Sequence, residues 1–118
     1  MAKFVLIYKG GAPKQEEMEQ NVKDWGVWIK DLTEKGIYKS GEPFGFTRKV
    51  VNTDNTVSDG TTDNAGYSLI EVGTMDEAIE IAKTGPTQKY GGTTEVYDTM
   101  DMSAVLSLLI LLSHTKKQ

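Results

Sequence analysis

The hydrophobic positions near the start of the chain leave no polar side. Residues 4 to 8, FVLIY, are all apolar. In an extended strand Phe4, Leu6 and Tyr8 point to one face, while Val5 and Ile7 point to the other. A pair of glycines then breaks the pattern. The segment therefore predicts a strand that is buried on both faces.

A helical period follows the glycine pair. Apolar residues recur at steps of four and three positions: Met18, Val22, Trp25, Ile29 and Leu32. This spacing predicts an amphipathic helix over about residues 15–35, and Gly36 is predicted to end it. Trp25 lies within the stripe and is expected in the core. Trp28 lies about 80° to one side, so it either seals an edge of the core or borders a cleft.

A second helix is predicted from its amino-terminal cap. Thr74 and Glu77 have the spacing of a capping box, in which each side chain bonds the other's backbone amide. Gly85-Pro86 is predicted to end this helix. The expected buried stripe consists of Met75, Ala78, Ile79 and Ala82.

The sequence signals for the remaining strands differ in strength. Residues 37–51 are rich in β-branched and aromatic types but contain Gly41, Pro43 and Gly45, so the strand is expected to begin near Phe44 or Phe46. A short strand is expected over 56–58 and a polar loop over 59–66. Clear strands are predicted at 67–72 and 93–98.

The order of these elements is β-α-β-(β)-β-α-β, which predicts an α+β fold with the ferredoxin-like βαββαβ plan. In that plan both helices cover one face of an antiparallel sheet. The other face of the first strand is also apolar, so something must cover it. The least elaborate cover is a second copy of the same sheet, and we therefore predict a homodimer packed sheet to sheet.

The end of the chain departs from this plan. Residues 104–112, AVLSLLILL, have no polar face, and nine helical residues would reach only about 14 Å, too short to span a bilayer. We therefore expect a domain of residues 1–98 and an apolar extension of residues 99–118 packed in the core or the dimer interface. The alternative is an interfacial membrane anchor assisted by Lys116 and Lys117.

Composition limits the class of function. The 118 residues carry a net charge of -4 and contain no cysteine, so disulfides and thiolate chemistry are excluded and nucleic acid is an improbable partner. No signal-peptide core is present near the start, which favours a cytoplasmic protein. No motif indicates a metal or a cofactor. The lone histidine, His114, is assigned no role.

One cation stands out as a candidate binding group. If Arg48 shares a strand face with Phe46 and Val50, its guanidinium is drawn toward an apolar cleft and would seek a carboxylate or a phosphate. The alternative is an ordinary ion pair with Glu71 or Glu95, which we favour. The aspartates of the polar loops are explained by turn chemistry.

Several short segments, in order, resemble the YCII-related family, particularly its DGPF subgroup: residues 3–8 (KFVLIY), 28–36 (WIKDLTEKG), 41–44 (GEPF), 57–60 (VSDG), 66–72 (GYSLIEV), 75–78 (MDEA) and 95–96 (EV). The resemblance implies a dimeric α+β barrel. The subgroup's Asp-Gly-Pro-Phe is here Asp59-Gly60 followed by two threonines. No histidine lies in the first helix, so the family's suggested acid-base pair does not transfer. Glu42 and Asp59 remain as family-motif carboxylates.

Two functions are therefore open. The first is a homodimer with a small-molecule cleft, capable at most of modest acid-base chemistry, whose candidate lining residues are Trp28, Phe44, Arg48, Asp59 and Tyr67. The second is a non-catalytic regulatory or protein-interaction module that uses the apolar tail. The sequence does not decide whether the protein is an enzyme.

Overall fold

A computed structural model describes residues 1–116 of the chain. Its elements, in order, are β1 (Ala2–Lys9), a 3₁₀ turn (Gln15–Glu17), α1 (Met18–Glu34), β2 (Tyr38–Pro43), β3 (Lys49–Val51), β4 (Val57–Asp59), β5 (Asn64–Val72), α2 (Met75–Lys83), α3 (Pro86–Lys89), β6 (Thr93–Asp98) and α4 (Met102–Lys116). The side chain of Lys116 and the whole of Lys117, which the membrane-anchor alternative invoked, lie outside the described part.

Four strands form one antiparallel sheet in the order β2-β5-β1-β6, and β3 and β4 form a separate hairpin between β2 and β5. Helices α1 and α2 pack on one face of this sheet. This is the ferredoxin-like α+β fold, with the hairpin as an insertion, and the predicted fold class is confirmed. The short strand predicted at 56–58 is one arm of that hairpin.

The first strand has the two-sided character that its sequence predicts. Phe4, Leu6 and Tyr8 are buried against the helices, whereas Val5 and Ile7 are only half-buried on the other side. Across β5 and β6 the second face continues through three of the four register partners of these two residues; the fourth, Glu95 opposite Ile7, forms an ion pair with Lys9. We call this surface the open face: Val5, Ile7, Tyr67, Leu69 and Tyr97. Tyr97 is 50% exposed.

The position of β2 corrects the sequence prediction. The strand runs before Phe44, not from it, and residues 44–48 form a loop. Gly41 and Pro43 are tolerated because β2 is an edge strand of the sheet. A Cβ at Gly41 would lie 2.7 Å from the Tyr67 carbonyl oxygen, so this glycine permits close approach of two strands.

The first helix buries a narrower stripe than its period suggests. Met18 and Val22 are exposed, and Trp28, at 9% exposure, is more deeply buried than Trp25. The first turns of α1 are exposed, so the period indicates a helix without showing which turns lie over the sheet. Gly36, with a φ of 74°, ends the helix as predicted.

The cap of α2 is as predicted at Thr74 but differs at Glu77, which was expected to bond the Thr74 amide. The Thr74 hydroxyl accepts a hydrogen bond from the Glu77 amide at 3.2 Å, and the Glu77 carboxylate accepts one from the Gly73 amide at 3.1 Å. The buried stripe differs in one member. Ile79 is exposed, and Ile81 packs against the core instead.

The carboxyl-terminal segment forms α4, which begins with Asp101 accepting hydrogen bonds from the amides of Ser103 and Ala104. The helix does not pack into the core of its own chain. Its leucines and isoleucine are between 48% and 63% exposed. The sequence analysis expected this segment to pack either in the core or in the dimer interface. Packing in the dimer interface remains as a prediction. No helix between residues 1 and 116 is long and apolar enough to cross a membrane.

Candidate functional site

The loop after β2 carries an aromatic pair. Phe44 stacks on Tyr67 with ring centroids 6.2 Å apart and an angle of 28° between the planes. The Phe44 amide donates to the Ala65 carbonyl oxygen at 2.8 Å, which ties the loop to the start of β5. Phe44 is still 43% exposed. Part of its ring is therefore accessible beside the open face.

Arg48 lies in the same loop, just before the hairpin. It is half-buried, and its Nη1 donates to the Thr62 carbonyl oxygen at 2.5 Å. The Gly60 amide donates to the Arg48 carbonyl oxygen at 2.9 Å, and a Cβ at Gly60 would lie 2.9 Å from the Arg48 Cβ. The close packing of these two segments holds the arginine against the loop of residues 60–62.

The ion pair predicted for Arg48 is wrong. Glu95 instead pairs with Lys9 at 3.4 Å, and Glu71 lies in β5. Arg48 does not share a strand face with Phe46 and Val50, as the sequence analysis supposed, because it precedes the hairpin. It also lies outside the four-stranded sheet that carries Glu71 and Glu95.

Phe44 and Arg48 border a common cavity, which we call the Arg48 cavity. Its volume is about 360 Å³, it is shallow and largely open to solvent, and the rest of its wall is formed by Pro43, Gly45, Thr47, Thr62 and Asn64. The Asn64 side-chain oxygen is buried without a hydrogen-bond partner among the described residues. No acidic side chain lines the cavity.

The family-motif carboxylates lie outside this cavity. Asp59 accepts a hydrogen bond from the Lys49 ammonium and its side chain is 80% exposed. Glu42 is exposed on β2, opposite Tyr67 in the register. Neither group has the buried setting that a general base at neutral pH needs.

Trp28 belongs to the core and not to the wall of the Arg48 cavity. Its Nε1 donates to the Thr84 hydroxyl at 2.9 Å, and its ring makes edge contacts with Trp25 and Tyr38 at centroid distances of 5.5 and 6.2 Å. Of the five candidate residues, the structure therefore groups Phe44, Arg48 and Tyr67. It places Asp59 outside the cavity and Trp28 in the core.

The sequence analysis missed five residues of the cavity wall: Pro43, Gly45, Thr47, Thr62 and Asn64. Residues 59–66 were interpreted as a polar loop, and their composition gives no indication of what they face. The one available signal is the resemblance itself, because the motif Asp59-Gly60 starts the segment that packs against Arg48.

A metal centre has no support in the described part of the chain. Between residues 1 and 116, no group of three or more histidine, aspartate or glutamate side chains is placed to hold an ion. The absence of a metal and of a cofactor stays a prediction.

Comparison with known protein families found no match, and no curated protein matches the chain. A similar solved structure is 5-chloro-2-hydroxyhydroquinone dehydrochlorinase from Burkholderia phenoliruptrix AC1100, in complex with 2,5-dihydroxybenzoquinone. The two chains are 16% identical with a TM-score of 0.49, and the similarity covers 83% of this chain and 93% of the other.

Proposed function

We propose that this protein is a cytoplasmic homodimer, related to the YCII-like proteins of the DGPF subgroup, that binds a small molecule in a cleft beside its dimer interface. The observation that carries the proposal is the open face. The sheet has apolar side chains on both faces but helices on only one, so Val5, Ile7 and Leu69 are only partly buried.

The surface of the single chain supports a partner of substantial size. The chain exposes 8625 Å², whereas a compact monomer of this mass exposes about 6,300 Å². Its radius of gyration is 18.3 Å, against about 13.5 Å for a compact domain of this length. The excess surface is larger than the roughly 800 Å² that each partner contributes to a standard interface. A single subunit is therefore an open shape that a second copy would complete.

The position of the aromatic pair connects the dimer to binding. Tyr67 belongs to the open face, and Phe44 stacks on it from the loop that forms the Arg48 cavity. A second sheet on the open face would then cover Tyr67 and close one side of the cavity. We propose Phe44, Arg48 and Tyr67 as the ligand-contacting residues and Asp59 as a group near the rim. Trp28 supports the fold from the opposite face.

Binding is proposed rather than catalysis because the described groups form no acid-base pair in the cavity. Its side chains offer one guanidinium, threonine hydroxyls, an amide and an aromatic ring. These groups orient a ligand and compensate charge.

We also propose that α4 packs in the dimer interface. A helix that is apolar on all sides is stable in water only when other groups surround it. Lys116 and Lys117 at its end would attract anionic lipid, whereas Asp98 and Asp101 at its start oppose that attraction. A helix that lies in a membrane interface also has a polar face, which residues 104–112 lack, so a second copy is the favoured cover.

The first experiment measures mass and ligand-dependent stability together. Light scattering of the full chain should give twice the 13.0 kDa chain mass at micromolar concentration. Thermal-shift screening should find a small molecule that raises the melting temperature, because a ligand at 100 times its Kd adds about 2.7 kcal/mol to stability. A 13 kDa species, with no response to any metabolite class, would overturn the proposal.

The exposure of α4 favours a second candidate, a protein-interaction module. In that case the chain ending at Asp98 should form an oligomer with the same number of subunits as the full chain and show the same absence of ligand response, because α4 would serve only a different partner. If removal of residues 99–118 lowers the number of subunits, α4 serves the homodimer and this candidate is rejected.

A further inference from the structure

We infer that the Arg48 cavity selects a small, flat carboxylate that carries a single negative charge. The inference rests on the proposed binding function and adds the chemical class of the ligand. It follows from the unused hydrogen-bond donors of Arg48, from the charge of the cavity wall and from the flat ring of Phe44.

The guanidinium of Arg48 has donors left for a ligand. It has five N–H groups, and the hydrogen bond to the Thr62 carbonyl oxygen uses one of them. None of the ion pairs formed within residues 1–116 includes this side chain. The bond to Thr62 also limits the directions in which the planar fork can point. A fork held in this way matches the two oxygens of a carboxylate with two parallel hydrogen bonds.

The charge of the wall selects a monoanion. Among the described residues that line the cavity, Arg48 is the one with a charged side chain. Lys49, its neighbour in sequence, is already paired with Asp59. A phosphate monoester carries close to two negative charges at neutral pH, so one of them would enter the cavity without a counter-charge. A carboxylate is neutralised by Arg48 alone.

The shape of the wall selects a flat ligand. Phe44 belongs to the same cavity wall as Arg48, stacks on Tyr67 with 28° between the ring planes, and is 43% exposed. An aromatic ring and a guanidinium that border the same space accommodate a ring stacked on one and an acid group bonded to the other. The volume of about 360 Å³ lies near the lower end of small-molecule sites, which fits a single substituted ring.

The experiment titrates the ¹⁵N-labelled full chain by NMR with four probes. Benzoate has the proposed charge and shape, benzamide keeps the shape without charge, cyclohexanecarboxylate keeps the charge without the flat ring, and inorganic phosphate replaces the carboxylate. Benzoate should bind at least tenfold more tightly than each of the others. Its largest shifts should fall on the amides of residues 44–48 and 62–64.

Three variants locate the binding charge. Arg48→Gln removes the charge and should weaken benzoate binding at least tenfold. Arg48→Lys keeps the charge without the fork and should give an intermediate Kd. Lys35→Gln makes the same change of net charge at an exposed lysine that pairs with Asp31, and should leave the Kd unchanged.

Four results would overturn the inference: benzamide or phosphate binding as tightly as benzoate, cyclohexanecarboxylate binding as tightly as benzoate, no effect of Arg48→Gln, or shifts confined to another surface. The proposed function fails separately. If the chain is a dimer and a neutral compound shifts residues 44–48, binding stands and only the ligand class is wrong. If the chain is a monomer and no compound shifts these residues, the proposed function is wrong as well.

Discussion

The Tyr8 hydroxyl donates a hydrogen bond of 2.7 Å to the Ser68 hydroxyl inside the core, joining β1 to β5 beneath the helices. The Ser68 oxygen also lies 3.0 Å from the Tyr38 hydroxyl of β2. Ser68 is 1% exposed and Tyr8 is 5% exposed. Burial raises the pKa of Tyr8 above its ordinary value, which keeps the hydroxyl protonated as a donor. Hydroxyl groups from β1, β2 and β5 thus meet at the buried Ser68 oxygen.

This sharing predicts that Ser68→Ala destabilises the fold more than Tyr8→Phe. The serine change leaves the buried Tyr8 hydroxyl without an acceptor, a loss of about 2 kcal/mol. In Tyr8→Phe the serine keeps Tyr38 as a partner, so the loss should be nearer 1 kcal/mol. Urea unfolding followed by tryptophan fluorescence measures both, and Thr53→Ala in the exposed hairpin turn is the control. Equal stability of Ser68→Ala and the parent chain would contradict the prediction.

The acid dependence of stability should depend on Asp24. Hydrogen bonds from Lys89, Gln20 and Tyr90 hold the pKa of this carboxyl at about 2, below its ordinary 3.8. A pKa depressed in the folded state gives stability that is present above the unfolded value and is lost as pH falls through the folded value. The contribution should therefore disappear between about pH 4 and pH 2.

The matched variants for this effect are Lys89→Met and Lys35→Met. The first removes the largest cause of the shift and should move the carboxyl ¹³C titration of Asp24 upward toward 3.8. The second removes a lysine that pairs elsewhere and should leave the midpoint unchanged. If the midpoint of Asp24 is the same in all three chains, Lys89 does not hold this carboxyl.

The sequence predicts the layers of the fold well because a periodic pattern of apolar residues arises where one face of a helix or strand is buried. Strand β6, residues 67–72 of β5, the cap at Thr74 and the stop at Gly36 all follow from local patterns, whereas residues 64–66 of β5 were expected in a loop. The position of β2 does not, because Gly41 and Pro43 oppose a strand locally and are accepted only at the edge of a sheet. Edge position is a property of the assembled sheet.

The site was less predictable for a related reason. Phe44 and Tyr67 became candidates through the resemblance to dimeric barrels, since both lie in the segments that carry it, and side-chain chemistry singled out Arg48. The partner of Arg48 is the carbonyl oxygen of Thr62, and a backbone oxygen leaves no trace in residue type. The position of Trp28 was ambiguous because its angle around the helix axis gives the side of the helix on which it lies, but not whether the sheet covers that side.

The open face should carry the dimer. Ile7→Glu places a charge among half-buried apolar residues, which a partner sheet would have to bury unpaired at a cost of several kcal/mol. We expect the mass from light scattering to fall from twice the chain mass to the 13.0 kDa of one chain. Val27→Glu adds the same charge on the outer side of α1, where the side chain is 71% exposed, and should remain dimeric. A dimeric Ile7→Glu with native circular dichroism would place the interface elsewhere.

The last prediction concerns α4, whose covering partner is proposed to be a second copy. Leu109 is 56% exposed, and Leu109→Glu would put a charge on the apolar side of the helix. If that side is buried in the dimer, the dissociation constant should rise by at least about tenfold, since each 1.4 kcal/mol of lost affinity is a factor of ten. Analytical ultracentrifugation over a dilution series measures this change.

Ser103→Glu is the control on the same helix. It adds the same charge in the first turn, where an acidic group suits the positive end of the helix dipole, so the dissociation constant should stay near that of the parent. Vesicles of mixed neutral and anionic phospholipid provide the opposing test, because a lipid-bound helix would make the full chain sediment with them and Leu109→Glu would abolish that. Sedimentation with vesicles together with an unchanged dimer would mean that lipid, and not a second copy, covers α4.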